Sequence, residues 1–439
     1  MAPARGRDED GPGVEPLVKI AYLNPGGAIG GAEMCLLDVL TALRASRPDA
    51  RPFVVLGEDG PLRDKVQTLG IPCDVMPIPE GVSRLGDSGA TGVPRLAALA
   101  ARGLFTVPST IAYARRLGRR LRDEQPDLVQ TNGMKMHLLG AWTAPRGVPV
   151  VWHMHDYLGS RPAMARLLRA SLRRGVEAVA VTRSVADDVR ATLGGRVPVR
   201  SIHNAVDLDR FHPGPGDGHA LDRASDLPPA APGTVRVGLV ATFASWKGHD
   251  LFLEAAARVP ADRPARFYII GGPIYQTVGS ETTMGGLIAR SGRLGLADRV
   301  GFAGQWAEPA DAIRGLDIVV HASTRPEPFG RVIVEAMACG RAVIAMKEGG
   351  AAELFHDGED AIGCPPRDPQ ALASDLLRLI DDSSLRDRLG AAGHRSAVAR
   401  FDRTRLAEDW SPIYDRRVRP VSPASDRPAR PTVAPRISP

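Results

Sequence analysis

The chain has 439 residues, 44% of them hydrophobic, and a formal net charge of +6, which is typical of a globular protein long enough for two domains. No apolar run approaches the roughly 20 residues of a membrane-spanning helix, and the polar N-terminus lacks the apolar segment of a secretory signal, so we expect a cytoplasmic protein. The positive charge comes without a nucleic-acid-binding module, so no nucleic-acid partner is predicted.

The four cysteines are Cys35, Cys73, Cys339 and Cys364. They form no C-x-x-C pair and have no histidine at metal-binding spacing. We therefore expect buried thiols in a reducing compartment and no metal site.

Short β-branched runs alternate with helical stretches along the whole chain. The predicted strands of the first half are VKIAYL, PFVVL, CDVMPI, DLVQT, PVVWHMH, EAVAVT and VRSIHN, and those of the second half are VRVGLVATF, RFYIIGG, RVGFAG, DIVVHAS, AVIAM and AIGC. Because these runs are continuously apolar, they indicate parallel sheets covered by helices on both faces, and hence an α/β fold.

The series is interrupted at residues 209–234, which are rich in proline and glycine and show no periodicity. This segment is predicted to be a linker or surface loop. It separates residues 17–208 from residues 235–400, and we expect two Rossmann-like, doubly wound domains that face a central cleft. Residues 1–16 and 419–439 are predicted to be disordered, since they are polar and of low complexity.

Ligands of doubly wound sheets bind at the carboxyl ends of the strands, so the residues that follow each strand are the candidates for a site. After the first strand, Gly26, Gly27, Gly30 and Gly31 lead into an apolar helix. Glycines there allow backbone N–H groups to approach an anion, although a flexible turn without a ligand is the alternative. The chain has no G-x-G-x-x-G motif, which argues against a nicotinamide dinucleotide.

Polar residues also follow the fourth and fifth strands. Asn132 and Lys135 stand at the switch from the fourth strand to a helix, and His153, His155 and Asp156 end the fifth. The two histidines alternate along a strand, but no third metal ligand is evident. We weigh contact with a substrate against a structural hydrogen bond for both, and we favour the substrate contact.

Two turns of the second half suit an anion. Lys247 stands beside Gly248 at a predicted helix start, where a cation opposes the helix dipole unless an anion is also present. A phosphate clamp is therefore favoured over a solvated lysine. Gly349 and Gly350 form another glycine-rich turn after a later strand.

The stretch TRPEPFGRVIVEAMACG, residues 324–340, places two acids around a helix start. The N–H groups of Phe329 and Gly330 would be unpaired helix-start donors that suit a pyrophosphate. Glu327 precedes them, and Glu335 lies more than one turn into the helix. Because a carboxylate accepts hydrogen bonds from vicinal hydroxyls, each acid can hold a sugar, and an acid in so apolar a run rarely lacks a partner.

Together these residues resemble the family 4 glycosyltransferases, retaining enzymes of the GT-B fold. The likeness covers nearly all of residues 18–418. It is carried by the E-x7-E element from Glu327 to Glu335 and by GGAE, HD, NAVDLDRF, WKG and GG-AEL in the family's order. The resemblance implies a nucleoside-diphosphate sugar bound mainly by the second domain and an acceptor bound mainly by the first. It also implies that residues 401–418 form a helix that crosses back onto the first domain.

The resemblance assigns a role to each matching position. Glu335 would bind the ribose, Glu327 the hydroxyls of the transferred sugar, and Lys247 the diphosphate. Phe329 and Gly330 would donate backbone N–H groups. The other expected donor contacts are Gly30, Gly31, Thr242, Gly349 and Gly350; His155 would contact the transferred sugar, and the acceptor would meet Asn132, Lys135, His153 and Asp156.

Thr242 departs from the family, since it occupies the position of an arginine that usually assists the clamp lysine. Ala205 is a milder departure, because it stands where the family usually has glycine after Asn204. The loss of one cation is the main reason to question ordinary activity.

The sequence thus predicts a retaining glycosyltransferase that needs neither metal nor cofactor and acts in cell-envelope, polysaccharide or glycolipid synthesis. The acceptor would be a glycan, a lipid-linked molecule or a small molecule; the base and the sugar are not predicted. A sugar-nucleotide epimerase of the same fold and a non-catalytic nucleotide-sugar-binding protein remain alternatives. The basic amphipathic stretch 109–127 would allow peripheral contact with an anionic membrane, although a helix that faces the core would show the same pattern.

Overall fold

The structure is a computed structural model, and it describes residues 18–79, 93–173, 175–273 and 282–418. Within these ranges thirteen strands form two separate parallel sheets, of seven and six strands. The predicted α/β architecture of two doubly wound domains is confirmed. The segments predicted to be disordered, 1–16 and 419–439, lie outside the described residues.

The first sheet has strand order β3-β2-β1-β4-β5-β6-β7. Its strands are β1 (Val18–Asn24), β2 (Ala50–Leu56), β3 (Cys73–Val75), β4 (Leu128–Asn132), β5 (Val150–Met154), β6 (Val176–Ala180) and β7 (Val199–Ser201). Helices Gly31–Ser46, Pro61–Thr68, Val93–Glu124, Met134–Thr143, Pro162–Ala170 and Arg183–Leu193 connect them. The strand order reverses between β1 and β4, so a crevice opens at the carboxyl ends of these strands.

The second sheet repeats the arrangement with order β10-β9-β8-β11-β12-β13. Its strands are β8 (Val235–Val240), β9 (Ala265–Ile270), β10 (Val300–Gly304), β11 (Ile318–His321), β12 (Ala342–Met346) and β13 (Ile362–Cys364). The helices are His249–Arg258, Met284–Arg293, Pro309–Arg314, Arg331–Ala338, Pro369–Asp381 and Ser383–Phe401, with 3-10 turns at Ser245–Lys247 and Gly350–Glu353. Here the strand order reverses between β8 and β11.

The segment between the domains is not irregular throughout, which corrects the prediction for residues 209–234. It contains the helix Gly218–Ala224, whose Asp222 is buried and accepts hydrogen bonds from Arg236 at 3.0 Å and Arg266 at 2.6 Å. Both arginines lie on the second sheet, so a buried ionic cluster fastens the linker to that domain.

The last helix, Leu406–Val418, lies against the first domain rather than the second. Trp410, Ile413 and Tyr414 are buried in a core shared with strands β1 and β2. The Tyr414 hydroxyl donates to Gln130 Oε1 at 3.1 Å and lies 3.0 Å from the hydroxyl of Tyr22. The C-terminal part of the chain is thus built into the core of the N-terminal domain.

The basic helix Val93–Glu124 has both buried and exposed apolar residues along its length. Leu117 and Leu121 are buried, whereas Val107 is 51% exposed and Ile111 is 44% exposed. The apolar residues of this helix therefore lie in two surroundings, the core and solvent. No helix in the described ranges is long and apolar enough to span a membrane. The four cysteines are all free and buried, as predicted.

Candidate active site

The Glu327 carboxylate is the centre of a polar cluster at the carboxyl ends of β8 and β11. Its Oε1 accepts from Lys247 Nζ at 2.5 Å, and its Oε2 accepts from the Ser323 hydroxyl and lies 3.3 Å from His321 Nε2. Only 12% of the Glu327 side chain is exposed. Three side chains from two strand ends thus fix the orientation of this acid.

Glu327 stays ionised despite its burial. Burial by itself would raise the pKa of the carboxyl, but the charge of Lys247 and the contact with His321 outweigh it and hold the pKa well below the usual range. A carboxylate in this state accepts hydrogen bonds and has no proton to give as a general acid.

Lys247 is placed by a tight turn after β8. It ends the 3-10 turn Ser245–Lys247, and Gly248 follows with φ of +76° as the N-cap of helix His249–Arg258. A Cβ at Gly248 would lie 1.8 Å from the carbonyl oxygen of Ala322. The turn therefore packs directly on the backbone after β11, which brings Lys247 to Glu327.

The helix Arg331–Ala338 begins beside this cluster. Gly330 is its N-cap with φ of +92°, and the N–H groups of a first helical turn lack intrahelical partners. The Phe329 side chain is buried, with its ring centroid 6.2 Å from that of Phe401. The two residues predicted to donate backbone N–H groups thus lie at a helix N-terminus anchored by an aromatic side chain.

Glu335 lies one turn further along the same helix. Its Oε1 accepts from Arg331 Nε at 3.2 Å, and 15% of its side chain is exposed. Arg331 continues across the cleft to Asp38 of the first domain, with 3.0 Å between Nη1 and Oδ2. The predicted partner for Glu335 is a ribose, which stays a prediction; in the structure Arg331 donates to one of its oxygens.

The Gly349–Gly350 turn supports the site instead of facing an anion with both amides. The N–H of Gly350 donates to the Glu327 carbonyl at 2.8 Å and contacts the Tyr157 hydroxyl at 3.0 Å. A Cβ on Gly350 would lie 2.0 Å from the Pro328 carbonyl oxygen. The predicted anion contact is therefore wrong for the Gly350 amide, because the loop that carries Glu327 occupies it.

Side chains of the first domain also hold this loop. The Thr182 hydroxyl donates to the Pro328 carbonyl at 2.9 Å. Glu353, which ends the 3-10 turn after Gly349, accepts from the backbone N–H groups of Arg183 at 3.0 Å and Ser184 at 2.7 Å. A carboxylate at the N-terminus of helix Arg183–Leu193 is favourable for the helix dipole, so this contact joins the domains.

The glycine-rich loop of the first domain faces the second. Gly30 is the N-cap of helix Gly31–Ser46, and its N–H donates to the Glu33 carboxylate at 3.1 Å. A Cβ at Gly31 would lie 3.8 Å from Arg331 Cδ. The helix start predicted to close over the donor therefore stands opposite the helix that bears Glu335.

The two histidines of β5 lie together, with ring centroids 4.1 Å apart. Burial lowers the pKa of His155 to about 3, and the charge of Arg331 adds to this effect, so the imidazole is neutral. His153 is 2% exposed and meets Trp410 of the last helix edge-on at 4.9 Å. The predicted acceptor contact is corrected for His153, since it packs inside the domain.

Asn132 ends β4 and is 2% exposed, and neither of its amide atoms has a hydrogen-bond partner among the described residues. Lys135 lies in the first turn of the following helix and is half-buried. Asp156 is half-exposed and lies 3.4 Å from Arg161. Thr242 is half-buried just after β8. All four stand at or just beyond strand ends, as the sequence predicted, and their roles stay predictions.

The sequence analysis did not predict that the side chains of several further residues belong to the site. They are Tyr157, Thr182, His321, Ser323 and Arg331. His321 and Ser323 could have been found from the same signal as Glu327, because they end β11 in HAS. The others act across the domain interface, and no local pattern marks them. No group of three or more histidine, cysteine, aspartate or glutamate side chains suited to a metal occurs in the described part of the chain.

Comparisons with known proteins identify relatives of both domains. A family model described as Glycosyltransferase Family 4 matches residues 29–210, and one described as Glycosyl transferases group 1 matches residues 229–396. The lipopolysaccharide core biosynthesis mannosyltransferase LpsB of Rhizobium meliloti is 30% identical over 65% of this chain and 85% of its own length.

Other relatives are similar over different extents. D-inositol 3-phosphate glycosyltransferase 2 of Catenulispora acidiphila is 33% identical over 50% of this chain, and the chain spans about half, 51%, of that relative's length. The crystal structure of HepE of Anabaena with UDP-glucose is 26% identical, with a TM-score of 0.70, and the match covers 91% of this chain and 99% of that one.

Proposed function

Because this chain belongs to glycosyltransferase family 4, we propose that it transfers a sugar from a nucleoside-diphosphate sugar to an acceptor hydroxyl, with retention at the anomeric carbon. The observation that carries the proposal is the cluster in which Lys247 and Glu327 meet beside the helix start at Gly330. It offers a cation and backbone N–H groups to a diphosphate and a carboxylate to sugar hydroxyls.

In the proposed reaction, the bond between the anomeric carbon and the diphosphate oxygen breaks while the acceptor oxygen bonds to the same face of that carbon. The acceptor proton passes to the departing phosphate oxygen, so a glycoside and a nucleoside diphosphate result. Negative charge grows on the diphosphate as it leaves. Lys247 and the N–H groups at the helix start are positioned to stabilise that charge. Such preorganised stabilisation is usually the largest catalytic term.

Glu327 has a binding role in this scheme. Its low pKa keeps it charged, so it accepts hydrogen bonds from the transferred sugar and orients it. The neutral imidazole of His155 can likewise accept or donate one hydrogen bond. The reaction as written needs no metal and no cofactor, because lysine and the helix dipole supply the positive potential.

For the donor, we propose a UDP-sugar as the first candidate, since HepE was crystallised with UDP-glucose. For the acceptor, we propose a glycan or lipid-linked molecule of the cell envelope, which is supported by the likeness to LpsB. The exposed Val107 and Ile111 beside Arg115 and Arg119 would allow peripheral contact with an anionic membrane on the cytoplasmic side.

A thermal-shift screen with UDP, GDP, ADP and their common sugars tests the donor site. A nucleotide at 100 times its Kd should stabilise the fold by about 2.7 kcal/mol. The product formed with an added acceptor is then read by NMR for the anomeric configuration. An inverted product, or the absence of any stabilising nucleotide, would contradict the proposal; an epimerised donor in the absence of acceptor would instead favour an epimerase.

A further inference from the structure

A buried ion pair joins the two domains beside the proposed donor site. Asp38 lies on helix Gly31–Ser46 of the first domain, and its Oδ2 is 3.0 Å from Nη1 of Arg331 in the second. The side chains are 3% and 13% exposed, respectively. Since water barely reaches the pair, each charge depends on the other for its compensation.

Arg331 holds Glu335 as well. Its Nε donates to Glu335 Oε1 at 3.2 Å, and its Nη1 also reaches the Ala205 carbonyl at 3.3 Å and Cys35 Sγ at 3.5 Å. The donors of a guanidinium are fixed in a planar fork. These partners together fix the orientation of the Arg331 guanidinium. Moving Asp38 away would therefore change the hydrogen bond from Arg331 to Glu335.

The charges of this group favour contact between the domains. Burial raises the pKa of Asp38, and the nearby Arg331 opposes that rise. Burial alone would lower the pKa of Arg331, but the charges of Asp38 and Glu335 raise it above its usual range. Opening the cleft would break the contact between Asp38 and Arg331 and lose the attraction that compensates their burial.

Two other residues with proposed roles lie near the Arg331 side chain. A Cβ on Gly31 would lie 3.8 Å from Arg331 Cδ. The charge of Arg331 also contributes to the lowered pKa of His155. Arg331 is thus the point at which the glycine loop, the β5 histidine and the E-x7-E helix come together.

We propose that Arg331 is a positioning residue that couples binding of the donor to closure of the two domains, with Asp38 as its counterpart. The inference rests on the proposed role of Glu335 in binding ribose. Arg331 holds Oε1 of Glu335, which leaves Oε2 to accept ribose hydroxyls. Because the coupling is reciprocal, closure strengthens donor binding as much as the donor favours closure.

The first test measures the Kd of UDP by calorimetry on the full-length chain. Asp38→Asn keeps the shape of the side chain and removes its charge, in a domain that does not carry the E-x7-E helix. We expect UDP to bind about five- to tenfold more weakly, with a raised donor KM and little change in kcat. The matched control is Asp187→Asn, which removes an exposed ion pair with Arg190 in the same domain and should leave the Kd within about twofold.

A second variant separates positioning from simple structural support. Asp38→Leu combined with Arg331→Met replaces the buried pair by apolar side chains, which is often neutral or stabilising. We expect a Tm close to that of the unmodified chain but UDP binding that remains weak. If the pair had only a structural role, the double variant would regain both the Tm and the UDP affinity of the unmodified chain.

The outcomes distinguish this inference from the proposed function. If Asp38→Asn and the double variant bind UDP as the unmodified chain does, while Glu335→Gln weakens binding, the coupling is wrong and the proposed function stands. If Glu335→Gln also leaves the binding of UDP unchanged, the role of Glu335 fails, and the coupling fails with it. If the unmodified chain binds none of UDP, GDP and ADP, both fail.

Discussion

Lys247 and Glu327 compensate each other's charge, and this pairing sets how each should respond to substitution. Lys247 is 22% exposed and Glu327 12%, so neither charge is fully solvated when its partner is lost. The lysine retains two further N–H donors for a diphosphate while one faces Glu327. A single residue therefore links the stability of the loop to the stabilisation of the leaving group.

Replacing Lys247 by alanine should mainly lower turnover. The growing charge on the diphosphate loses its ammonium, and loss of one such group costs about 100- to 1000-fold in kcat. Steady-state kinetics with a saturating donor measure this effect. Lys65→Ala, which removes an exposed lysine of the first domain, is the control, and an equal loss in both variants would show that general charge is responsible.

The buried His137 should make stability depend on pH. Burial lowers the pKa of His137 from 6.5 to about 3, so below pH 6.5 the unfolded chain takes up a proton that the folded chain refuses. The free energy of unfolding should therefore fall as the pH falls from 6.5 to about 3, by about 1.4 kcal/mol per pH unit for this one group.

Urea unfolding of His137→Gln at several pH values tests this effect. The variant should show a shallower fall in the free energy of unfolding than the unmodified chain over this range. His356→Gln is the control, since its side chain is 60% exposed. An unchanged slope in His137→Gln would mean that the imidazole is charged in the folded protein.

At the scale of the elements, the strands were predictable and the contacts between domains were not. All thirteen predicted runs contain strands, because short apolar segments rich in β-branched residues suit a sheet covered on both faces. The helix Gly218–Ala224 was missed, since prolines and glycines surround it and its anchor, Asp222, meets arginines on distant strands.

The candidate site shows the same limit. Glu327, Gly330 and Lys247 were predicted because each follows a strand, and the strand ends of one sheet meet at one edge. Asp38 and Arg331 are 293 residues apart, and an aspartate within an apolar helix shows that a partner is needed without showing which. His153 was misplaced because the helix that covers it comes from the far end of the chain.

The turn that carries Lys247 requires glycine at position 248, and this requirement can be tested. Gly248→Ala would put a Cβ 1.8 Å from the Ala322 carbonyl at φ of +76°, so the turn that carries Lys247 must move. We expect a destabilisation of more than about 2 kcal/mol and a large loss of activity. Gly295→Ala is a close control, because Gly295 has φ of +72° with nothing within 4 Å of a Cβ.

That control isolates backbone strain from the clash. Gly295→Ala should cost only about 1 kcal/mol and keep its activity. Equal losses of stability in the two variants, measured by urea unfolding, would mean that the close approach to β11 does not hold Lys247 in place.

For the whole molecule, the last helix determines how the domains are connected. The chain crosses from the second domain back to the first, where Trp410 is 1% exposed and stacks on Tyr414 at 5.8 Å. The first domain therefore completes its core with residues that follow the second in sequence. We infer that the first domain depends on this helix for its core, whereas the second has a core cluster of its own residues, so the first can unfold while the second stays folded.

Trp410→Ala tests this dependence. Removal of a buried tryptophan should destabilise the fold by about 3–5 kcal/mol, and it should open space beside the ring of His153, which meets Trp410 at 4.9 Å. Trp142→Ala is the matched control, since Trp142 is 51% exposed. Because the lost packing lies in the first domain while the proposed donor site lies mainly in the second, UDP binding at 15 °C should be weakened less than stability. Thermal unfolding of Trp410→Ala should separate into two transitions, of which added UDP raises only the later one; a single cooperative transition would show that the two domains unfold as one unit.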